Sequence, residues 1–476
     1  MPPEPRVVIL GAGPAGVGAA WRLRALGKAA VTLFDQQEVV GGNAGSHTVA
    51  GLRVDYGSHR LHPATAPNIM ADIRSLLGED LLDRPRHGRI GLLGRWIHFP
   101  LKPVDLALRL PPSFGIGAAT DAATKPIRQR QAQGPESFAS VLRTNLGPTI
   151  CEHFYFPYAR KIWGRAPEEL SAIQAYRRVS AGSFGKLVKK VLSAVPGLKP
   201  PGSGRFFYPR QGFGQISEGY ADAARRAGAD LQLGWKVVKL TRPVDDRGPW
   251  KVTSERNGER RETDADYVWS TLPITLLARI IEGGAPPEVT AAAGEISYRA
   301  MLLVYLELDI DQFTEYDAHY FPAADLRITR LSEPKNYSAR SEPHGRTVLC
   351  AELPCETTDP WWGQDENALG RLVADDLARA GVPLPRAPIG VTVRRLPQAY
   401  PIYLTGYEKP FATLDRWATG LPRLLTYGRQ GLFAHDNTHH ALAMAYAAVD
   451  ALEPDGWNAT RWAASRREFE KHVVED

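Results

Sequence analysis

The sequence predicts an α/β protein in which a doubly wound parallel sheet is interleaved with a second domain of antiparallel sheet and helices. Three observations carry this expectation. First, the apolar strand pattern Val7-Val8-Ile9-Leu10 runs into Gly11-Ala12-Gly13-Pro14-Ala15-Gly16 and then into the helix-like Val17-Gly18-Ala19-Ala20-Trp21-Arg22-Leu23. Second, the strand pattern Ala30-Val31-Thr32-Leu33-Phe34 ends in Asp35, about 20 residues beyond the glycine turn. Third, residues 296 to 405 are rich in alternating strand patterns rather than helical ones.

The first two observations define a Rossmann-like dinucleotide cradle. Gly11 permits the tight turn, Gly13 lets the backbone approach a pyrophosphate, and Gly16 lets helix and strand pack closely. The helix N-terminus adds free N–H groups and a partial positive charge, and a carboxylate at Asp35 would accept ribose hydroxyls. A glycine hook, Gly41-Gly42-Asn43-Ala44-Gly45, follows six residues later and fits a phosphate turn. After it comes the polar return Tyr56-Gly57-Ser58-His59-Arg60-Leu61-His62.

Composition bounds the rest. With 476 residues, 43% hydrophobic and 23% charged, the chain is long enough for a large core and reads as globular. The balance of 58 basic against 52 acidic side chains gives +6, without the concentrated basic stripe of a nucleic-acid binder. A small anionic molecule is the expected partner. The first strand begins within about six residues and no apolar run approaches the ~18 residues of a membrane helix, so a cytoplasmic protein without a membrane span is expected. Cys151, Cys350 and Cys355 are too scattered for a disulfide framework or a zinc site and are expected as free thiols. No metal is expected: His439 and His440, adjacent on a helix, point in different directions.

Along the chain, 90–135 reads as an excursion, with Trp96 to Pro103 extended and Thr124 to Gln131 a solvated basic stretch. Helical pattern continues to about 192, a Pro/Gly break spans 196–204, and a helix follows at about 215–227. Asp230 to Leu240 and Trp250 to Thr253 read as strands, and Ala265 to Pro273 as a strand returning to the nucleotide sheet. Ala441, Met444, Ala445, Ala448, Val449 and Leu452 mark a helix, read as the last element. The nucleotide-binding domain is thus expected over 1–90, 205–295 and 410–476, and the substrate domain over 91–204 and 296–409.

These pieces resemble the two-domain FAD proteins that include amine oxidases and protoporphyrinogen oxidase. The terminal Gly428-Arg429-Gln430-Gly431-Leu432-Phe433 with Asp436, placed before a helix, carries the likeness and separates FAD from NAD. The resemblance implies non-covalent FAD, held by Gly11, Gly13, Pro14, Ala15, Gly16, Asp35, Gly41, Gly42, Asn43, Val237, Gly428, Arg429 and Asp436.

A narrower resemblance is to the branch containing UDP-galactopyranose mutase. Tyr158-Ala159-Arg160-Lys161-Ile162-Trp163-Gly164 is similar to its Tyr-x-x-Lys-x-Trp-Gly motif, with Arg177 fourteen residues after the tryptophan. Tyr298-Arg299-Ala300 and Thr329-Arg330 resemble two further motifs. This likeness implies His59 near flavin N5, Trp163 and Arg177 around sugar and flavin, and Arg299 and Arg429 around diphosphate and cofactor; Arg330 is a further candidate. Ile328 stands where the branch has a substrate-binding tyrosine, and Phe433, Ala434 and His435 where it has paired tyrosines. The expected activity is that of a flavin-dependent oxidoreductase taking a hydride at N5. The alternatives are a redox-neutral sugar mutase using reduced FAD and a protein in which FAD is structural.

Overall fold

A computed structural model describes residues 4–99, 105, 108–178, 204–245 and 248–474. The end of the Trp96 to Pro103 segment, the helical pattern from 179 to about 192 and nearly all of the 196–204 break lie outside them.

A five-stranded parallel sheet forms the base, in the order Leu424–Thr426, Tyr267–Ser270, Arg6–Leu10, Ala30–Asp35 and Asp230–Leu233. Val7 to Leu10 are buried on both faces, as a central parallel strand requires. The first helix, Pro14–Ala25, packs between Gln215–Arg226 and Thr438–Ala451. The latter two helices are linked by a 2.8 Å hydrogen bond between the Tyr220 and Tyr446 hydroxyls. The expected returning strand and the helix at 215–227 are both present.

A seven-stranded sheet carries the strand-rich half. Its centre is Ser297–Leu308, antiparallel to Gly390–Ile402 on one side and to Thr347–Cys355 on the other. Beyond these lie Arg330–Ser332, Ala318–Tyr320, Gly88–Leu92 and Arg95–Phe99. The helix Glu366–Arg379 is capped by Asp365 and buries Leu369, Val373 and Leu377 in the core that covers this sheet. The strand Gly88–Leu92 pairs in parallel with Ala318–Tyr320.

Three further expectations need correction. The run from Asp230 to Leu240 is two strands: it breaks at Gly234, and Lys236–Thr241 joins a separate three-stranded sheet with Trp250–Arg256 and Glu259–Ala265. The basic stretch at 124–131 is the end of a helix, Pro112–Gln131. The helix Thr438–Ala451 is not the last element, because Ala459–Phe469 follows it and docks through Trp462 and Phe469. Among the described residues no helix is long and apolar enough to cross a membrane.

Candidate active site

The glycine turn is shaped on three sides and open on the fourth. Gly11 has φ +102° and donates its N–H to the Phe34 carbonyl at 2.8 Å, so the turn needs a residue without a Cβ. A Cβ at Gly16 would lie 1.9 Å from the Gly11 carbonyl oxygen, whereas a Cβ at Gly13 meets nothing within 4 Å. Pro14 opens the helix, and Gly13, its N-cap, supplies no side-chain cap. The hook closes over the turn: Gly41 donates to the Ala12 carbonyl at 2.8 Å, and Gly42 stands against Gly13. An uncapped helix N-terminus beside open space at Gly13 fits the pyrophosphate of a dinucleotide.

Asp35 has a structural task that the sequence did not reveal. Its Oδ2 accepts the Ala12 N–H and its Oδ1 the Gln37 N–H, both at 2.7 Å. Burial nevertheless raises its pKa above the ordinary carboxylate value, with the two hydrogen bonds opposing. Val237 is buried in the core cluster that contains Phe34. Asn43 donates to the Gln398 carbonyl at 3.1 Å. The Gly428–Gly431 turn packs on the first helix, where a Cβ at Gly428 would lie 2.9 Å from that of Ala15.

The segment 55–62 runs along the large sheet. The buried Asp55 accepts from the Ser46 hydroxyl at 2.6 Å, the Tyr208 hydroxyl at 2.6 Å and the Phe213 N–H at 2.8 Å; burial pushes its pKa up to about 6. Glu352 accepts the Ser58 N–H at 2.7 Å. The His59 ring stacks on Phe213 at 5.2 Å, and its Nδ1 is buried without a hydrogen-bond partner. Burial, then the charges of Arg330 and Arg429, pushes its pKa down to about 3, so the imidazole is neutral. The His62 Nδ1 accepts the Ala64 N–H at 3.0 Å and so closes the following turn.

Trp163, Tyr400 and His435 form an aromatic cluster, with Trp163 edge-on to Tyr400 at 5.9 Å and to His435 at 5.0 Å. The Arg429 guanidinium lies 5.0 Å from the Tyr400 ring centroid and donates to the Ala399 carbonyl at 3.0 Å. Arg177 stands behind this cluster, where its Nη1 donates to the Tyr403 hydroxyl at 3.3 Å.

Two candidate arginines are held by carboxylates. Arg330 grips Glu352 bidentately, Nε to Oε1 at 2.9 Å and Nη2 to Oε2 at 2.8 Å, with Glu352 buried and Arg330 partly exposed. Arg299 donates to Glu356 at 2.8 Å and to the carbonyls of Ile162, Lys161 and Pro354. It therefore caps the C-terminus of the helix Phe156–Trp163, where a cation meets the negative end of the dipole. Gly164, left-handed at φ +64°, leaves the space that this guanidinium fills. A bulge between Arg299 and Met301 in the pairing with Gly390–Ile402 aims Arg299 at the helix end.

Lys161, inside the Tyr-x-x-Lys-x-Trp-Gly pattern, is also a clamp. Its Nζ donates to the carbonyls of Phe321 at 2.6 Å, Ala323 at 3.0 Å and Ile328 at 2.7 Å, fixing the loop that leads into Arg330. Burial lowers its pKa to about 7. Lys161→Met is expected to leave three carbonyls without their donor and to cost at least about 1–3 kcal/mol. A urea-unfolding midpoint equal to that of wild type would contradict this role.

The sequence reading did not single out Glu352, Glu356, Tyr400 or Phe213. A glutamate alone in the apolar run Val348 to Cys355 was the available signal, since a charge there requires a buried partner.

The histidines give a pH prediction. Burial lowers the pKa values of His59, His319 and His439 to about 3 each. In the unfolded chain they titrate near 6.5, so their contribution is complete above that pH and is lost as pH falls toward 3, by up to about 1.4 kcal/mol per unit for each. Asp55 acts oppositely: with its pKa raised to about 6, its contribution is complete below 3.8 and is lost as pH rises through 6. The three deeply lowered histidines outweigh Asp55 together with the raised carboxylates of Asp35 and Glu333, so the urea midpoint at pH 5 is expected below that at pH 7. Equal midpoints would contradict the buried neutral histidines.

A model of flavin-containing amine oxidoreductases matches residues 14–449. The phytoene dehydrogenase of Streptomyces griseus is 27% identical over 305 residues, covering 57% of this chain and 55% of that protein, so the match takes in little more than half of the relative's length. The fold superposes on reduced UDP-galactopyranose mutase with a TM-score of 0.81 at 20% identity, covering 99% of this chain and 100% of the other. It superposes on cyclohexylamine oxidase from Brevibacterium oxydans with a TM-score of 0.65 at 17% identity, covering 98% and 100%. At these identities the structural likenesses show the fold. The family match extends from the first helix, Pro14–Ala25, into the helix Thr438–Ala451: this chain is an enzyme of the flavin-containing amine oxidoreductase family.

Proposed function

We propose that the chain is a non-covalent FAD-dependent oxidoreductase that acts on a polar, anionic or glycosyl small molecule. When bound, FAD would supply two-electron chemistry, accepting a hydride at N5. Gly11, Gly13, Pro14, Ala15, Gly16, Gly41, Gly42 and Asn43 would hold the pyrophosphate side, Asp35 and Val237 the adenosine side, and Gly428 and Arg429 the flavin side; the carboxylate of Asp436, also expected there, faces His440 and His472 instead. Trp163 would shape the substrate space, and His59 would face the flavin as a neutral ring. Arg429 and Arg177 are the cations we assign to an anionic group; Arg299 and Arg330 we read as positioning residues.

One observation carries oxidation over sugar isomerisation. Glu356 and Glu352 answer the charges of Arg299 and Arg330, and Ile328, Phe433, Ala434 and His435 replace the tyrosines of the mutase branch, so a nucleotide-sugar diphosphate has lost much of its clamp. The mutase reading retains its own support in the full-length likeness and in Tyr158, Lys161, Trp163 and Gly164. Turnover assayed with an artificial electron acceptor, over panels of anionic small molecules and of sugars, tests the proposal. Acceptor reduction with at least one class is expected; isomerisation of UDP-galactopyranose only after dithionite treatment would overturn it.

His59→Ala is expected to shift the flavin midpoint potential and slow single-turnover reduction, with the FAD content unchanged. An unchanged potential and rate would leave His59 as a packed loop residue.

A further inference from the structure

The C-terminal tail builds a second polar cluster behind the segment 428–437. Asp436, before the helix Thr438–Ala451, His440 in its first turns, and His472, after the helix Ala459–Phe469, each offer one donor atom, and all three lie within 4.8 Å of one another. His472 Nδ1 is 3.1 Å from Asp436 Oδ2, and His440 Nδ1 is 3.8 Å from Asp436 Oδ1. Asp436 Oδ1 is buried with no hydrogen-bond partner, on a side chain with no exposure. An orphaned carboxylate oxygen facing an imidazole nitrogen calls for a bound group.

We propose that Asp436, His440 and His472 bind a divalent first-row transition metal, with zinc as the reference ion. Two imidazole nitrogens and one carboxylate oxygen suit zinc and its neighbours and do not suit magnesium or calcium, which take oxygen. Metal–ligand distances of about 2.0–2.2 Å require donors about 3–3.5 Å apart, so small side-chain rotations close the site. His440 would exchange its 3.3 Å bond from the Asn437 N–H for the metal. His440 and His472 keep some exposure, which leaves a path for entry and a solvent ligand. The helix N-terminus opposes a cation only weakly, and the nearby Arg177 charge is answered by Glu470 as well as Asp436. His439 is not in the ligand set, and the expectation of no metal weighed only that adjacent pair: His440 pairs instead with a residue 32 positions later, at the end of the chain. The metal would pin that end onto the segment assigned above to the flavin side.

The test uses zinc itself. Flavin-loaded protein is dialysed against Zn²⁺ or against EDTA, then measured for zinc by mass spectrometry, for FAD by absorbance and for thermal unfolding. One zinc per chain and a zinc-dependent rise in Tm are expected for wild type. His472→Ala should bind zinc at least about tenfold more weakly and lose the Tm rise, with its FAD content unchanged; His472→Cys, which restores a donor, should regain zinc. Wild-type protein that retains no zinc, or His472→Ala that retains as much as wild type, overturns the proposal.

Discussion

Gly13→Val is expected to yield a folded protein that has lost FAD. At this position a Cβ meets nothing within 4 Å, so the added methyl groups project into the open side of the cradle and not into the core. The loss should be about a hundredfold or more in FAD affinity, equivalent to about 2.7 kcal/mol, since the backbone can no longer approach the pyrophosphate. Gly16→Val gives the contrast: its Cβ would stand 1.9 Å from the Gly11 carbonyl oxygen, so helix and strand must part and the fold should fail. Circular dichroism and flavin absorbance on both variants separate the two effects. A yellow Gly13→Val protein, or one as unfolded as Gly16→Val, would show that the open side of the turn is not where the cofactor lies.

Arg330→Ala is expected to produce the largest loss of stability among the site arginines. Glu352 would be left as a buried carboxylate without its bidentate partner, at a cost of about 3–5 kcal/mol. The damage should extend to the flavin-facing segment, because Glu352 also accepts the Ser58 N–H next to His59. The double variant Arg330→Met/Glu352→Gln removes both charges and should recover part of the loss, since an apolar replacement for a buried pair is often neutral. A midpoint for Arg330→Ala within about 1 kcal/mol of wild type would return Arg330 to the set of substrate-binding arginines.

This pairing shows where sequence reading reaches its limit. The cradle and the glycine hook were legible because their chemistry is local: strand, turn and helix start within about twenty residues, and each glycine has a steric reason. The long strands around Leu302, Leu349 and Val393 were legible from their alternation and β-branched content. Arg330 and Glu352 meet because register sets them opposite each other on neighbouring strands, which no local pattern encodes. Arg299 was expected at a diphosphate because its motif carries that association, and only the fold shows a helix terminus waiting for its charge. The helix Ala459–Phe469 escaped notice because, of its eleven residues, it buries only Trp462 and Phe469, too few for a clear period.

The central claim is that bound FAD receives electrons from the substrate. Anaerobic mixing of the oxidised holoenzyme with members of the anionic and sugar panels, followed by flavin absorbance, tests it most directly. The account predicts that the oxidised flavin band bleaches with at least one class and returns when oxygen or an artificial acceptor is admitted. An oxidised band unchanged by every compound, together with conversion of a nucleotide sugar only by the pre-reduced enzyme, would contradict it.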